Sequence, residues 1–517
     1  MDQGYGAKVG QGHARAESFL PTSSVTSFPN VVMKSQTFLA AVVAAWQSTA
    51  MGKEIPNPVR SERYDSGEVH EGIMALKHAQ WAAREQMGIF EVTQYRSYAG
   101  EAPVPCVDGF AEVVPGDKNN TFACSNVDFY DFKSHADLGS AMGQGSSSWG
   151  WTSPEGREYV AVAQADGAAF AEITKAGKLV YLGRLPQYTT AKPSLWRELR
   201  GYKNYIVIGS EAVDHGVQIF DMSKLVDVDP ASPVTFTNEK DLTGYWNGLP
   251  IGRTHSNLAY LMQNIVINEE KEYAVAVGAQ PRTSACASGL TFIDLSDPTN
   301  PVSPGCAPGD GYVHDAQCIV YRGPDEKYNG KDICYGYNED TLTIYDVTDK
   351  NTTNIISRTG YEGSAFTHQG WVLDRDWQEY LVLDDEYDEY DKTDGGIGKP
   401  ITYFWDIKSL EAPKLTGFYR HSRKGIDHNQ FVVDGFAYQS NYGQGLSILD
   451  LTSIPSDPTG GSVTEAGFFD IYPEDDEAEG GGQIEFVGSW SHYPFFKSGY
   501  ILINTMERGA FVVKRAT

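Results

Sequence analysis

The sequence predicts an all-β protein, a seven-bladed β-propeller that is closed by an N-terminal strand and preceded by a short helical lead. Residues 312–349 contain three short segments rich in β-branched and aromatic residues, separated by polar turns. A unit of this size cannot bury its own apolar face, so it must stack against copies of itself. Copies recur about every 40 to 60 residues, which is typical of a propeller. The third segment returns at residues 217–221, 290–294, 401–406 and 446–450, and the opening histidine returns at His255, His314, His368 and His428.

The copies divide the chain into seven consecutive units. Residues 126–133 form a strand-like segment outside any complete unit, and the last unit lacks a fourth strand. We therefore predict that this early segment completes the last blade and fastens the ring. In the third unit, eight residues (256–263) separate His255 from the apolar run that should follow it. These residues are either a real loop or an error of gene prediction. The predicted units span residues 149–185, 195–236, 253–306, 312–361, 367–419, 427–472 and 490–517.

The N-terminal region predicts secretion. Residues 1–32 are polar and patternless, whereas Met33 and Lys34 lead into an apolar run that ends in small residues. This is the layout of a signal peptide over residues 33–52, and the alternative for this apolar run is the start of a buried helix. With a signal peptide that begins at Met33, residues 1–32 are interpreted as a non-native upstream extension. Residues 53–103 then form an extended lead and one amphipathic helix, expected on the outside of the ring with His70 and His78 on its surface. The propeller occupies residues 104–517.

Charge and cysteine content restrict the function further. The net charge of −27 argues against nucleic acid or an anionic membrane surface as a partner. No apolar run is long enough for a transmembrane segment. All six cysteines follow the predicted signal peptide, and we predict that neighbours pair as Cys106–Cys124, Cys286–Cys306 and Cys318–Cys334. Sequons at Asn119 and Asn351 predict a glycoprotein.

Several motifs resemble those of one known family. They begin at Gly156 (Gly-Arg-Glu-Tyr-Val), Gly311 (Gly-Tyr-Val-His-Asp), Asn338 (Asn-Glu-Asp), Thr367 (Thr-His-Gln-Gly-Trp) and Asp427 (Asp-His-Asn). Over roughly residues 104–517 the chain is similar to the choice-of-anchor B family, whose members are secreted proteins built from LVIVD repeats. The resemblance implies a secreted β-propeller and leaves its activity open.

The recurring histidines form the candidate site. In an antiparallel blade, the start of the first strand and the turn between the second and third strands lie at the same end. We therefore expect His255, His314, His368 and His428 at the mouth of the channel, as candidate ligands of a divalent metal ion. The alternative is that each histidine only forms hydrogen bonds to a neighbouring blade. Further polar residues expected at this mouth are Asp315, Gln317, Gln369, Asp427, Gln430, Asp384, Asp385, Glu386, Glu339 and Asp340.

Two classes of function fit this pattern. The first is a ligand-binding or scaffold propeller with an extracellular ligand, either carbohydrate or protein. The second is a metal-dependent lyase or hydrolase that acts on extracellular polysaccharide. The sequence shows no nucleophile elbow and no phosphate-binding glycine loop, so it favours the first class and leaves catalysis open.

Overall fold

The computed structural model describes residues 58–249, 262, 264–391 and 397–516. The chain begins there with two helices, followed by strands that join blades formed much later in the sequence. None of the described helices is long and apolar enough to cross a membrane. These first elements are α1 (Pro58–Asp65), α2 (Glu68–Gln86), β1 (Phe110–Glu112), β2 (Thr121–Ser125) and β3 (Val127–Ser134).

The described residues form seven antiparallel sheets, which confirms the seven-bladed propeller. Blade one also carries a short strand, residues 234–235, in parallel beside its outer strand. Blade one contains β4 (Gly145–Thr152), β5 (Glu158–Gln164), β6 (Gly167–Ile173) and β7 (Leu179–Pro186). Blade two contains β8 (Arg197–Tyr202), β9 (Tyr205–Ser210), β10 (Val217–Asp221) and β12 (Leu242–Trp246). Strand β11 (Val234–Thr235) and helix α3 (Asn238–Asp241) lie between β10 and β12 in the chain. Blade three contains β13 (Asn264–Asn268), β14 (Tyr273–Val277), β15 (Leu290–Asp294) and β16 (Cys306–Ala307).

The remaining blades follow the predicted units closely. Blade four contains β17 (Asp315–Val320), β18 (Asp332–Tyr337), β19 (Thr341–Asp346) and β20 (Asn354–Gly360). Blade five contains β21 (Thr367–Val372), β22 (Tyr380–Asp385), helix α4 (Asp388–Asp391), β23 (Ile401–Asp406) and β24 (Lys414–Arg420). Blade six contains β25 (Gln430–Val433), β26 (Phe436–Ser440), β27 (Leu446–Asp450) and β28 (Thr464–Phe469), and blade seven contains β29 (Ser489–Tyr493), β30 (Tyr500–Thr505) and β31 (Gly509–Arg515).

The ring closes as the sequence predicts. Strand β3 pairs with β31 in antiparallel register and supplies the fourth strand of blade seven. Phe129 on β3 is fully buried, and its ring packs against the rings of Phe122 and Phe469. Strands β1 and β2 extend blade six beyond β28, an addition that the sequence pattern did not predict. The N-terminal segment therefore joins blades six and seven from outside the repeat.

The first strand of each blade lines the central channel. From β4 round to β25 these strands contact one another in order, and β29 contacts β4. The predicted end of unit two was wrong: residues 234–235 pair with β7 of blade one, and the apolar run of β12 supplies the fourth strand. The large buried side chains lie in the layers between neighbouring blades, where burial of apolar surface stabilises the ring by about 25 cal/mol per Å².

Helix α2 crosses the mouth of the channel, so the prediction that it packs outside the ring was wrong. Its buried residues Ile73, Lys77 and Trp81 are spaced four apart and therefore share one face, which points into the channel. The Trp81 indole Nε1 donates to the Phe486 carbonyl oxygen at 2.7 Å, which fixes the helix to the loop before blade seven. His78 is exposed, as expected, whereas His70 is partly covered and contacts Tyr312 and Phe366.

All three predicted disulfides are formed, and the described residues contain no free cysteine. The Cys106–Cys124 bond fastens the segment before β1 to β2, while Cys318–Cys334 links two paired strands of blade four. The side chains of Asn119 and Asn351 are both exposed, and their glycosylation stays a prediction. Residues 1–57, which include the predicted signal peptide, lie outside the described residues.

Candidate functional site

Three of the four predicted histidines meet at the helix-covered mouth of the channel. His314 directly precedes β17, His368 is the second residue of β21, and His428 lies two residues before β25. The ring centroids of His314 and His368 are 4.3 Å apart, and those of His368 and His428 are 4.4 Å apart. All three side chains are buried. His255 and its eight-residue insertion lie outside the described residues, apart from Met262.

Each of these imidazoles is oriented by a hydrogen bond at Nδ1. His314 Nδ1 lies 3.0 Å from the His368 carbonyl oxygen, and His428 Nδ1 lies 2.6 Å from the Trp490 carbonyl oxygen. A carbonyl oxygen only accepts, so both rings carry their proton on Nδ1 and present an unprotonated Nε2. His368 Nδ1 lies 3.2 Å from Asp384 Oδ1, the carboxylate–histidine arrangement that often orients metal ligands.

Glu386 completes the cluster from the end of β22. Ligand atoms of His314, His368 and Glu386 all lie within 4.8 Å of one another, and His428 Nε2 is 3.6 Å from Glu386 Oε1. Lys77 of α2 donates to both Glu386 oxygens, at 2.6 and 2.7 Å. The group borders a cavity of about 20 Å³, enough for one water molecule or one ion.

The protonation states suit a cation. Burial lowers the pKa of His314 and of His428 to about 4, and it holds the pKa of His368 well below its ordinary value. Burial opposes ionisation of the Glu386 carboxyl, yet the Lys77 ammonium and the nearby imidazoles hold its pKa below its usual value. At neutral pH the cluster therefore offers neutral imidazoles and a carboxylate, the forms in which these side chains bind transition metals.

The other acids predicted at this mouth hold the structure together. Asp385 accepts hydrogen bonds from the Tyr361 hydroxyl and from the backbone N–H groups of Ala365 and Phe366. Glu339 accepts from the Arg282 guanidinium at 2.8 and 3.0 Å, and Asp340 accepts from Ser61 of α1 at 3.4 Å. These residues bind blade loops to one another and to the N-terminal helices.

The predicted glutamines lie in the channel, one to three residues further along the first strands than the histidines. Gln369 donates to Asp315 Oδ2 at 3.0 Å, and its own Oε1 accepts from the Gln430 backbone N–H. Gln430 donates in turn to Asp384 Oδ2 at 3.0 Å. Gln317 Oε1 accepts from the backbone N–H of Val372 at 2.9 Å, so these side chains link neighbouring blades rather than reach the histidine cluster.

Asp427 belongs to a separate group of buried acids. Its Oδ1 accepts from Asn441 at 2.7 Å. Burial raises the pKa of Asp427, and the same cause raises the pKa of Asp388 and Glu389 beside it. Asp427, Asp388 and Glu389 are not part of the group of possible metal ligands, which consists of His314, His368 and Glu386 among the described residues.

Sequence reasoning missed three functional neighbours of the histidines. Lys77 lies on a helix that was expected elsewhere, so its pairing with Glu386 had no local signal. Glu198 and Arg200 are on β8, in a blade whose first strand has no histidine. They form a buried ion pair in the channel, and Arg200 Nη2 lies 4.0 Å from Asp315 Oδ2. The alternation of charge in Arg197-Glu198-Leu199-Arg200 within a first strand is the signal that could have identified them.

Comparison with known proteins adds little to this description. No family model matches the chain, and no curated protein matches it. One similar solved structure is titled "Structure of U3-55K", with a TM-score of 0.42 and 7% identity over 71% of this chain and 95% of that chain. Another is the computationally designed Ika8 protein, with a TM-score of 0.41 and 10% identity over 82% of this chain and 98% of that chain. Scores this low carry no argument about function.

Proposed function

We propose that this protein is a secreted, ligand-binding β-propeller that holds a divalent transition-metal ion at the helix-covered mouth of its channel. His314, His368 and Glu386 would bind the ion, and His428 stands beside Glu386 as a fourth donor. The proposal includes secretion, for which the three disulfides are supporting evidence. It also includes kinship with the choice-of-anchor B family.

The observation that carries the proposal is the convergence of free Nε2 atoms. Hydrogen bonds at Nδ1 hold His314, His368 and His428 in place, and the Nε2 atoms of His314 and His368 have no hydrogen-bond partner among the described residues. Histidines that served only to join blades would have no reason to present unprotonated nitrogens and a carboxylate to one small cavity. Imidazole donors favour zinc, copper, iron or nickel over calcium or magnesium, which prefer oxygen ligands.

Binding is supported better than turnover of a polymer. Helix α2 covers this mouth, and the cavity beside the ligands has a volume of about 20 Å³. A polysaccharide cannot reach the cluster past Lys77 and Trp81, both of which are buried. The metal would therefore act within a closed site, next to the contact between Lys77 of α2 and Glu386.

The test is metal analysis combined with stability measurements. After removal of metals with a chelator, the wild-type protein is titrated with Zn²⁺ and, as a hard-ion control, with Ca²⁺. We expect one Zn²⁺ per chain and stabilisation by about 2.7 kcal/mol at a hundredfold excess over the dissociation constant. Ca²⁺ should give no comparable effect.

Substitutions then distinguish a metal site from structural histidines. Loss of a residue that only orients a metal ligand typically weakens metal binding by about 10- to 100-fold. His314→Ala and His368→Ala should each weaken Zn²⁺ binding by more than that. His78→Ala is the matched control, because His78 is an exposed histidine on α2 outside the cluster. Stoichiometric zinc that persists in a His314→Ala/His368→Ala double variant, or no zinc in the wild type, contradicts the proposal.

A further inference from the structure

The opposite mouth of the channel opens into a second and larger pocket. It has a volume of about 310 Å³ and is lined by residues of the first strands β4, β8, β13, β17, β21 and β29, toward their far ends. The histidine cluster lies at the near ends of the same strands, and the two cavities share no lining residue. The volume is at the lower end of the range for small-molecule sites, so the pocket suits a ligand of one or two rings.

Aromatic side chains form much of its wall. Trp149, Trp151 and Trp371 are each only partly buried, so part of each indole faces the pocket. Phe431 fixes two of these rings from behind, with centroid distances of 5.8 Å to Trp149 and 5.2 Å to Trp371. Such edge-to-face contacts fix the orientation of both indoles in the pocket wall.

The polar groups of the pocket are mainly hydrogen-bond donors. Gln317 is buried, and its Nε2 has no hydrogen-bond partner among the described residues. At the rim, the exposed guanidinium of Arg375 has no ion pair or hydrogen bond within the described chain. Lys203 and Arg200 also line the pocket, but each is already ion-paired, with Glu272 and with Glu198. Among the described residues of the lining, Arg375 is therefore the cation that can pair with an anionic ligand.

We propose that this pocket binds a saccharide that carries a carboxylate, of the uronic acid class. The C–H face of a pyranose ring packs on Trp371 and Trp149, and the hydroxyl groups accept from Gln317. The carboxylate pairs with Arg375, whose planar guanidinium matches it with two parallel hydrogen bonds. This site is independent of the metal cluster.

Other ligand classes fit less well. A quaternary ammonium ion would meet the Arg200 guanidinium, which already lies 5.1 Å from the Trp149 ring and 5.6 Å from the Phe431 ring. A purely apolar molecule would leave the buried Nε2 of Gln317 unsatisfied. A flat aromatic acid could pair with Arg375, but it has no hydroxyl groups to accept from the donors deeper in the pocket.

The probes are D-glucuronate, D-glucose and benzoate, titrated by calorimetry and by saturation-transfer NMR on the purified protein. D-Glucuronate and D-glucose differ only at C6, where the carboxylate of one replaces the hydroxymethyl group of the other, so the pair reports the contribution of the carboxylate. We expect D-glucuronate to bind with a dissociation constant on the order of 1 mM, and D-glucose to bind at least about fivefold more weakly. Benzoate should bind more weakly than D-glucuronate.

Two variants and two controls test the named contacts. Arg375→Gln should reduce the affinity for D-glucuronate to that for D-glucose, and Trp371→Leu should weaken both sugars at least about tenfold. Trp377→Leu and Lys414→Gln are matched controls, because both residues are exposed and neither lines the pocket. These controls should leave both affinities unchanged.

Three results would overturn the assignment. The first is no binding of D-glucuronate to the wild type up to about 50 mM. The second is tighter binding of benzoate than of D-glucuronate, which would make the pocket a site for aromatic acids. The third is unchanged D-glucuronate affinity in either Arg375→Gln or Trp371→Leu.

Discussion

Replacement of Lys77 by methionine tests how the N-terminal helix and the metal site depend on each other. The side chains of Lys77 and Glu386 are 5% and 1% exposed, and Lys77 donates to both carboxylate oxygens. Methionine retains most of the length of the lysine side chain but removes its charge. The substitution therefore leaves the Glu386 carboxylate buried without its main cation.

The expected loss of stability is large. Removing one partner of a buried ion pair typically costs about 3–5 kcal/mol, because the remaining charge stays desolvated. The Tyr442 hydroxyl still donates to Glu386 at 2.5 Å, so we expect a value near the lower end of that range. The same change in Lys203, which pairs with Glu272 on the surface at about half exposure, should cost far less, because solvent screens an exposed ion pair.

Metal binding reverses the effect if Glu386 is a ligand. In the wild type an ion must share Glu386 with the Lys77 ammonium or displace it, whereas in Lys77→Met it meets an unopposed carboxylate. We expect the variant to bind Zn²⁺ at least about tenfold more tightly than the wild type, equal to about 1.4 kcal/mol. Added Zn²⁺ should then restore most of the stability that the substitution removes.

The assay is unfolding in urea, with a chelator and then with Zn²⁺, for the wild type, Lys77→Met and Lys203→Met. A double variant, Lys77→Met/Glu386→Gln, removes both charges and should recover stability without responding to Zn²⁺. The reasoning is refuted if Lys77→Met matches the wild type in chelator. It is also refuted if Zn²⁺ stabilises the double variant as much as the single one.

Three further predictions concern the rest of the ring. Burial and the adjacent Asp476 raise the pKa of Asp475 to about 7, so the folded state binds this proton more tightly than the unfolded state. The free energy of unfolding should therefore fall by about 1 kcal/mol between about pH 6 and pH 8. Asp475→Asn should remove that part of the loss when urea unfolding is measured as a function of pH. Joint replacement of Cys318 and Cys334 by alanine should lower the free energy of unfolding by about 3 kcal/mol, measured against the oxidised wild type. Phe129→Ala on the closing strand should cost about 3–5 kcal/mol in the same assay, and a cost below about 1 kcal/mol would contradict closure by β3.

The fold was readable from sequence because a propeller repeats its local pattern. Alternation of apolar and polar residues identified strands such as β19, and the recurring histidines marked the start of the first strand in blades four, five and six. The detached segment at residues 126–133 identified the closing strand, because the last unit lacked a partner for β31. Neighbour pairing of the cysteines followed from the same logic, since Cys318 and Cys334 were assigned to adjacent strands.

The candidate site was readable only in part, because it combines repeated and unrepeated elements. His314, His368 and His428 occupy equivalent positions, so topology alone brings them together. The amphipathic pattern of α2 shows which of its faces is buried, but it cannot show which surface covers that face. For the same reason the partner of Lys77 could not be predicted from sequence. The pocket at the far mouth depends on strand ends from several blades, which no single segment reveals.

Closure of the ring and coverage of the histidine cluster depend on different parts of the N-terminal segment. Closure depends on β3, and the Cys106–Cys124 bond fixes the chain just before it, so both lie downstream of α2. Coverage depends on α2 itself, held chiefly by Lys77 and Trp81. None of the residues of α2 belongs to a sheet, so coverage and closure depend on different contacts. If the proposed metal ion binds Glu386, it competes there with the Lys77 ammonium, and metal binding is then linked to the position of this helix.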